Sequence, residues 1–120
     1  MKEDKLKKTT KILKALSDES RVRIINLLKA KQGVCVCEIT EIINLSQPTI
    51  SSHLKKLEEA GIIVFRKDGL WVNYYLNDKM EQEITELVDL IIKVIEKDPD
   101  TVKDLKKLKS ADRMLICCKK

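Results

Sequence analysis

Residues 46–57 read SQPTISSHLKKL, and this segment has the pattern of a capped amphipathic helix. Ser46 is a typical helix N-cap, and Pro48 suits a first helical turn because its missing N–H needs no partner there. Gly61 is the kind of residue that ends a helix in the left-handed conformation. Hydrophobic residues recur at i, i+4 and i+7, which predicts one buried face made of Ile50, Leu54 and Leu57.

The polar face of this helix, which we call the reading helix, has the composition of a DNA recognition helix. A solvated amphipathic helix would carry Glu/Lys pairs, whereas short hydrogen-bonding side chains here precede two lysines. Such side chains reach base edges, and lysines bind phosphates. The helix N-terminus at Ser46 also favours a phosphate. The residues predicted to bind DNA are Ser46, Gln47, Thr49, Ser51, Ser52, His53, Lys55 and Lys56.

The elements on either side complete a winged helix-turn-helix. A short helix with one apolar face precedes the tight connection Asn44-Leu45, as in a helix-turn-helix. Residues 62–67 are rich in β-branched residues, Asp68-Gly69 is a two-residue hairpin signal, and residues 70–76 form the return strand. We expect Arg66 and Lys67 on this wing to contact the DNA backbone.

The remaining chain is predicted to be helical. Two helices precede the helix-turn-helix, and a long helix runs from Asn77 or Asp78 to Glu96. A break at residues 98–100 precedes a last amphipathic helix. The predicted fold is mostly α with a β-hairpin wing, in the order α-α-α-α-β-β-α-α. We assign residues 1–97 to the winged helix-turn-helix with dimerisation helices, and residues 98–120 to a C-terminal tail helix with a cysteine pair.

Composition narrows the class of protein. The chain has 120 residues, which fits one domain, and its net charge of +5 suits a polyanionic partner. No apolar run approaches the roughly 20 residues that span a bilayer, and no signal-peptide pattern opens the chain, so we expect a cytoplasmic protein without membrane contact. One histidine and no glycine-rich phosphate loop argue against an enzyme.

Four cysteines lie in two close pairs, Cys35 with Cys37 and Cys117 with Cys118. In a reducing compartment such pairs indicate metal or redox chemistry more than a structural disulfide. Thiolates prefer soft ions such as As(III), Sb(III), Cd(II), Pb(II) and Zn(II). Three interpretations stay open: sensing of a soft ion, thiol redox sensing, and simple packing of small thiols.

Residues 16–76 resemble the ArsR/SmtB family of metal-sensing repressors. The resemblance rests on LSDESRVRIINLL (16–28), CVCEI (35–39), LSQPTISSHLKKLEEAGII (45–63) and RKDGLWVNYYL (66–76). It implies a homodimer that represses its own operon and leaves operator DNA when an inducer binds. It also implies that the first helix and helix 78–96 form the dimer interface.

The resemblance places Cys35 and Cys37 in the inducer site at the start of the third helix. The chain departs from the family here in two ways. Thr40 stands where simple arsenic sensors have a third cysteine. The cadmium and lead sensors take cysteines from an N-terminal extension, whereas residues 1–34 of this chain contain no cysteine. We therefore expect one or both of Cys117 and Cys118 to complete a site of three or four thiolates. As(III) or Sb(III) is favoured as inducer, then Cd(II) or Pb(II), with Zn(II) possible. The family's zinc site on the long helix is not expected, because residues 78–96 contain no histidine.

The spacing of the two cysteines suggests a switch. Residues i and i+2 of an ideal helix point about 200° apart, so two helical cysteines at this spacing cannot reach one ion. On this argument, chelation by Cys35 and Cys37 requires the first turn of the third helix to unwind. Because that helix lies beside the reading helix, unwinding would move the DNA-binding surface.

Overall fold

The structure is a computed structural model that describes residues 4–111. The predicted fold is confirmed: six helices and a β-hairpin wing follow one another in the expected order, with one additional short strand before the third helix. None of the helices in residues 4–111 is long and apolar enough to cross a bilayer. The elements are α1 (Lys5–Leu16), α2 (Glu19–Ala30), β1 (Val34–Cys35), α3 (Val36–Ile43), α4 (Gln47–Glu59), β2 (Ile63–Asp68), β3 (Trp71–Leu76), α5 (Gln82–Ile95) and α6 (Pro99–Ser110).

Local capping chemistry sets several helix boundaries. Asp18 caps α2, and its side chain accepts the backbone N–H of Arg21 at 3.1 Å. Asn44 ends α3 in the left-handed conformation, with φ of 62°. Asp98 caps α6, and Pro99 lies in its first turn, as expected from the break in the sequence.

The three strands form an antiparallel sheet in the order β1-β3-β2. Asp68 pairs with Trp71, so the two turn residues are Gly69 and Leu70. The predicted Asp68-Gly69 turn is therefore wrong by one residue. The Asp68 carboxylate accepts the Asn73 amide at 2.9 Å, a contact between the two strands that fits its place in β2.

Helix α5 begins at Gln82, so the predicted cap at Asn77 or Asp78 is wrong. Asn77 stabilises a turn instead. Its side-chain amide donates to the carbonyl of Gly61 at 2.9 Å, and its side-chain oxygen accepts the backbone N–H of Lys79 at 3.0 Å. The side chain thus ties the end of the wing to the end of α4, and the long helix starts one turn later.

Helix α6 packs against α2 and α3 and contributes Leu108 to the hydrophobic core. Arg23 of α2 holds the Asp104 carboxylate of α6 with two hydrogen bonds, each 2.8 Å long. Asp104 is only 2% exposed. The hydrogen bond to Asp104 raises the pKa of the Arg23 guanidinium above its ordinary value, despite the opposing effect of burial.

Helices α1 and α5 leave apolar side chains uncovered. In α5 only Val88 is buried, whereas Leu90 is 60% and Val94 78% exposed. In α1, Leu6 and Leu13 are also exposed. Exposed apolar residues on two helices, rather than single scattered ones, are typical of a surface that another chain covers.

Candidate nucleic-acid interface and thiol site

Helix α4 presents the predicted DNA-reading residues to solvent. Ile50, Leu54 and Leu57 are fully buried, so the opposite face of the helix is outward. The Ser46 hydroxyl accepts the backbone N–H of Thr49 at 3.4 Å and lies 2.8 Å from the Thr49 hydroxyl, which confirms the predicted N-cap. Of the predicted DNA contacts, those exposed on and beside this helix are Ser46, Gln47, Thr49, Ser51, Ser52, Lys55 and Lys56.

His53 differs from the other predicted contacts because it is half-buried. Its Nδ1 atom lies 3.3 Å from Nη1 of Arg21, a residue of α2. Asp18 lies beside this pair. Burial raises the pKa of the Asp18 carboxyl, but hydrogen bonds from the backbone N–H groups of Arg21 and Ser20 and the charge of the Arg21 guanidinium act against it, and the pKa lies below its ordinary value. Sequence reasoning missed Arg21, because nothing local signals a contact across 32 residues.

The wing carries Arg66 and Lys67 on its exposed strand β2. Neighbouring residues of a strand point to opposite faces, so these two cations flank the ribbon. The guanidinium of Arg66 lies 4.3 Å from the centre of the Tyr75 ring, a cation–π contact that holds the arginine against β3. Helix α4 packs against β2, so the reading helix and the wing form one continuous surface.

Cys35 lies where the sheet meets α3. It is 3% exposed, pairs with Asn73 of β3 in the sheet, and is the N-cap of α3 in extended conformation. Cys37 lies in the first turn of α3 and is half-buried. Neither cysteine takes part in a disulfide within residues 4–111. The argument for unwinding is therefore wrong in its premise, because Cys35 precedes the helix and the angle between two helical residues does not apply.

Glu38 is a further residue of this site that sequence reasoning missed. It is fully buried, at 0% exposed. One carboxylate oxygen accepts the backbone N–H of Cys35 at 3.0 Å, and the other accepts Nζ of Lys31 at 2.8 Å. Cys35 and Glu38 thus form a capping box at the start of α3. The spacing Cys-x-x-Glu could have signalled it, since a capping box places Glu three residues after the cap.

The two thiols do not make a complete metal site by themselves. Within residues 4–111, no group of three or more His, Cys, Asp or Glu side chains is arranged to hold an ion. The donor chemistry fits a soft ion, but the number of donors falls short of three. Cys117 and Cys118, predicted to complete the set, lie outside the described residues.

Comparison with known proteins identifies the family. Residues 18–64 match the family model of bacterial regulatory proteins of the arsR family. The chain is 43% identical over 86 residues to an HTH-type transcriptional regulator of Methanocaldococcus jannaschii, which covers 72% of this chain and 97% of that protein. It is 38% identical over 85 residues to an arsenical resistance operon repressor of Staphylococcus aureus, with 71% and 81% covered.

Two further relatives extend the comparison. A cadmium resistance transcriptional regulatory protein, a CadC homolog of Staphylococcus aureus, is 41% identical over 76 residues, with 63% of each chain covered. The solved structure of HlyU from Vibrio cholerae superposes with a TM-score of 0.67 at 27% identity and covers 80% of this chain and 100% of that one. Together with the winged helix-turn-helix, these matches show that the chain belongs to the arsR family of DNA-binding transcriptional regulators.

Proposed function

We propose that this protein is a homodimeric repressor that leaves its operator when a thiophilic ion binds its cysteine thiolates. The observation that carries the proposal is the position of Cys35. It caps α3, which packs against the reading helix α4, and it pairs with β3 of the wing. A ligand held by Cys35 therefore acts on both elements that meet DNA.

The operator-binding surface comprises the outer face of α4 and the wing. Short polar side chains at the start of α4 are placed to read base edges, and cations further along bind phosphates. The exposure of these side chains and the packing of α4 against β2 support this assignment. The proposed residues are Ser46, Gln47, Thr49, Ser51, Ser52, His53, Lys55, Lys56, Arg66 and Lys67.

The proposed inducer site contains Cys35 and Cys37 with one or both of Cys117 and Cys118. The described residues supply two thiols, so a three-coordinate ion needs a donor from elsewhere in the dimer. As(III) or Sb(III) is the favoured inducer, since both take thiolate ligands and one relative is an arsenical resistance repressor. Cd(II) and Pb(II) come next, in line with the cadmium regulator, and Zn(II) follows.

Release requires the ion to favour the DNA-free state. Such coupling is typically about 1–3 kcal/mol, or 5–150-fold in affinity. A connected row of paired residues offers a route to the wing: Cys35 faces Asn73, and Asn73 faces Arg66. Asn73 is buried, and its amide donates to Asp68 near the wing tip. A displacement of Cys35 is therefore expected to change the positions of Arg66 and Asp68.

The proposal is tested by fluorescence anisotropy of a labelled upstream DNA fragment at fixed salt. Reduced protein is titrated in, and the complex is then challenged separately with As(III), Cd(II), Zn(II) and hydrogen peroxide. Release by As(III) or Cd(II) supports ion sensing. Release by peroxide alone would replace it with thiol redox sensing by the same cysteines. No binding to its own promoter would indicate a co-regulator that binds protein.

The lysines of the reading helix are expected to set the salt dependence of DNA binding. Each lost phosphate contact lowers the slope of log K against log salt by about 1, so Lys55→Ala in both protomers should lower it by about 2. Lys103→Ala, an exposed lysine of α6, is the matched control and should leave the slope unchanged. Equal slopes for the two variants would remove Lys55 from the interface.

The proposed dimer interface comprises α1 and residues 78–96, including α5. Val94→Lys places a charge on the most exposed apolar side chain of α5, and we expect dimerisation to weaken roughly tenfold or more. Sedimentation equilibrium measures this directly. Val102→Lys makes the same change at an exposed site on α6 and should leave the dimer intact. If both variants dimerise like the wild type, the interface lies elsewhere.

A further inference from the structure

The guanidinium of Arg21 connects the end of α1 to the reading helix. Its Nε donates to the carbonyl of Ala15 at 2.7 Å, and Nη2 donates to the carbonyl of Lys14 at 3.4 Å. These two carbonyls lie in the last turn of α1, so they fix the plane of the guanidinium. Its remaining nitrogen, Nη1, lies 3.3 Å from Nδ1 of His53 in α4.

The chemistry of this contact bears on which histidine nitrogen carries the proton. A guanidinium has only donors and is charged at any ordinary pH, so its partner atom must accept. A hydrogen bond at this contact requires Nδ1 of His53 to accept through its lone pair, which places the proton of a neutral imidazole on Nε2. Nε2 lies at the far edge of the ring from Cβ. His53 is half-buried, and Ser52 and Lys56 near it on α4 are exposed, so the residue lies at the edge of the proposed DNA surface.

We propose that Arg21 is a positioning residue that holds His53 as a neutral Nε2–H donor toward an acceptor on operator DNA. The inference rests on the proposed DNA surface and adds the direction of one hydrogen bond to it. The acceptor is a phosphate oxygen or the acceptor edge of a guanine. A neutral donor differs from the neighbouring lysines because it contributes affinity without releasing counterions.

The tautomer is tested first, on the DNA-free protein. His53 is the only histidine in the chain, so a long-range proton–nitrogen NMR spectrum at about pH 8 contains one imidazole pattern. We expect an unprotonated, hydrogen-bonded Nδ1 and a protonated Nε2. In Arg21→Leu, the nitrogen shifts should move toward the average of the two exchanging tautomers. A protonated Nδ1 in the wild type would overturn the proposal. Neither DNA nor an inducer is needed, so this result is independent of the proposed function.

The donor is tested with two variants at position 53. Glutamine keeps an N–H donor at a similar reach, whereas methionine keeps the volume without a donor. We expect His53→Met to weaken operator binding about tenfold or more, with an unchanged salt slope, and His53→Gln to retain most of the affinity. Weakening on all sequences would identify a phosphate as the acceptor, and relaxed preference at one base pair would identify a base. A salt slope that falls by about 1 per protomer in His53→Met would show a cationic His53 and overturn the proposal.

The link between the two residues is tested by a double-variant cycle. If Arg21 acts through His53, Arg21→Leu should weaken DNA binding in the wild type and have little further effect beside His53→Met. Full additivity would overturn the positioning role. Should Arg21→Leu unfold because α1 is released, the two His53 variants and the wild-type spectrum still decide the question. If the wild type binds no DNA, the DNA-binding function fails while the tautomer is still measured.

Discussion

Cys35→Ser is expected to leave operator binding intact and to abolish its release by arsenite. Serine is a favoured helix N-cap, so its hydroxyl can replace the thiol in the capping box with Glu38. The backbone N–H of residue 35 keeps its bond to the buried carboxylate. What is lost is the thiolate, and with it the preference for soft ions. The loss of affinity on adding arsenite, typically 5–150-fold in coupled systems, should fall to none.

Anisotropy with and without arsenite measures this effect, and the other cysteines provide the comparison. Cys37→Ser should behave in the same way, whereas a paired change of Cys117 and Cys118 to serine should weaken the response to the extent that the tail supplies a ligand. A Cys35→Ser protein that arsenite still releases as readily as the wild type would place the inducer away from α3. Thermal unfolding of the free variant checks that the cap is intact.

Arg23→Met is expected to cost about 3–5 kcal/mol of unfolding free energy, because it leaves the Asp104 carboxylate buried without its partner. Asp104 is 2% exposed and both of its oxygens are held by Arg23. Urea unfolding at fixed protein concentration gives the value, since dimerisation would make stability depend on concentration. The loss should appear mainly as detachment of α6 from α2.

The same substitution at an exposed pair is the matched control. Lys29 and Asp89 lie 3.1 Å apart, but both side chains are about half exposed, at 49% and 47%. Lys29→Met should therefore cost about 1 kcal/mol or less. The double variant Arg23→Met with Asp104→Leu should recover much of the lost unfolding free energy, because it removes the unpaired charge. Equal costs for Arg23→Met and Lys29→Met would show that burial of the first pair has little energetic effect.

The reading helix shows how much of the structure a local sequence pattern can predict. Its N-cap at Ser46, its buried stripe and its end near Gly61 all follow from residues within one segment, and the structure has each of them. The wing was predicted as an element, yet its turn was placed one residue early. The register of the two strands depends on contacts between them, here the hydrogen bond between Asp68 and Asn73. The Asp-Gly dipeptide alone carries no information about these contacts.

The start of α5 illustrates the same limit. Asn77 and Asp78 are both good caps, and a cap followed by an apolar stripe predicts a helix there. In the folded chain the Asn77 amide donates to the carbonyl of Gly61, which lies 16 residues earlier. Its side-chain oxygen accepts the backbone N–H of Lys79 within a turn, and α5 begins after this turn, at Gln82. The capping propensity of Asn77 is thus used in a turn that a contact between distant segments ties to the end of α4.

The sequence alone determined the helix-turn-helix with its wing, the basic polar face and the presence of a thiol pair, because periodicity, capping and composition act over a few neighbouring residues. Tertiary packing set the contacts on which regulation and DNA binding are proposed to depend. These are the pairing of Cys35 with the wing strand, the buried Glu38 between Cys35 and Lys31, and the Arg21–His53 contact. Each joins residues from different elements, which meet only once packing of the apolar faces has set their distance.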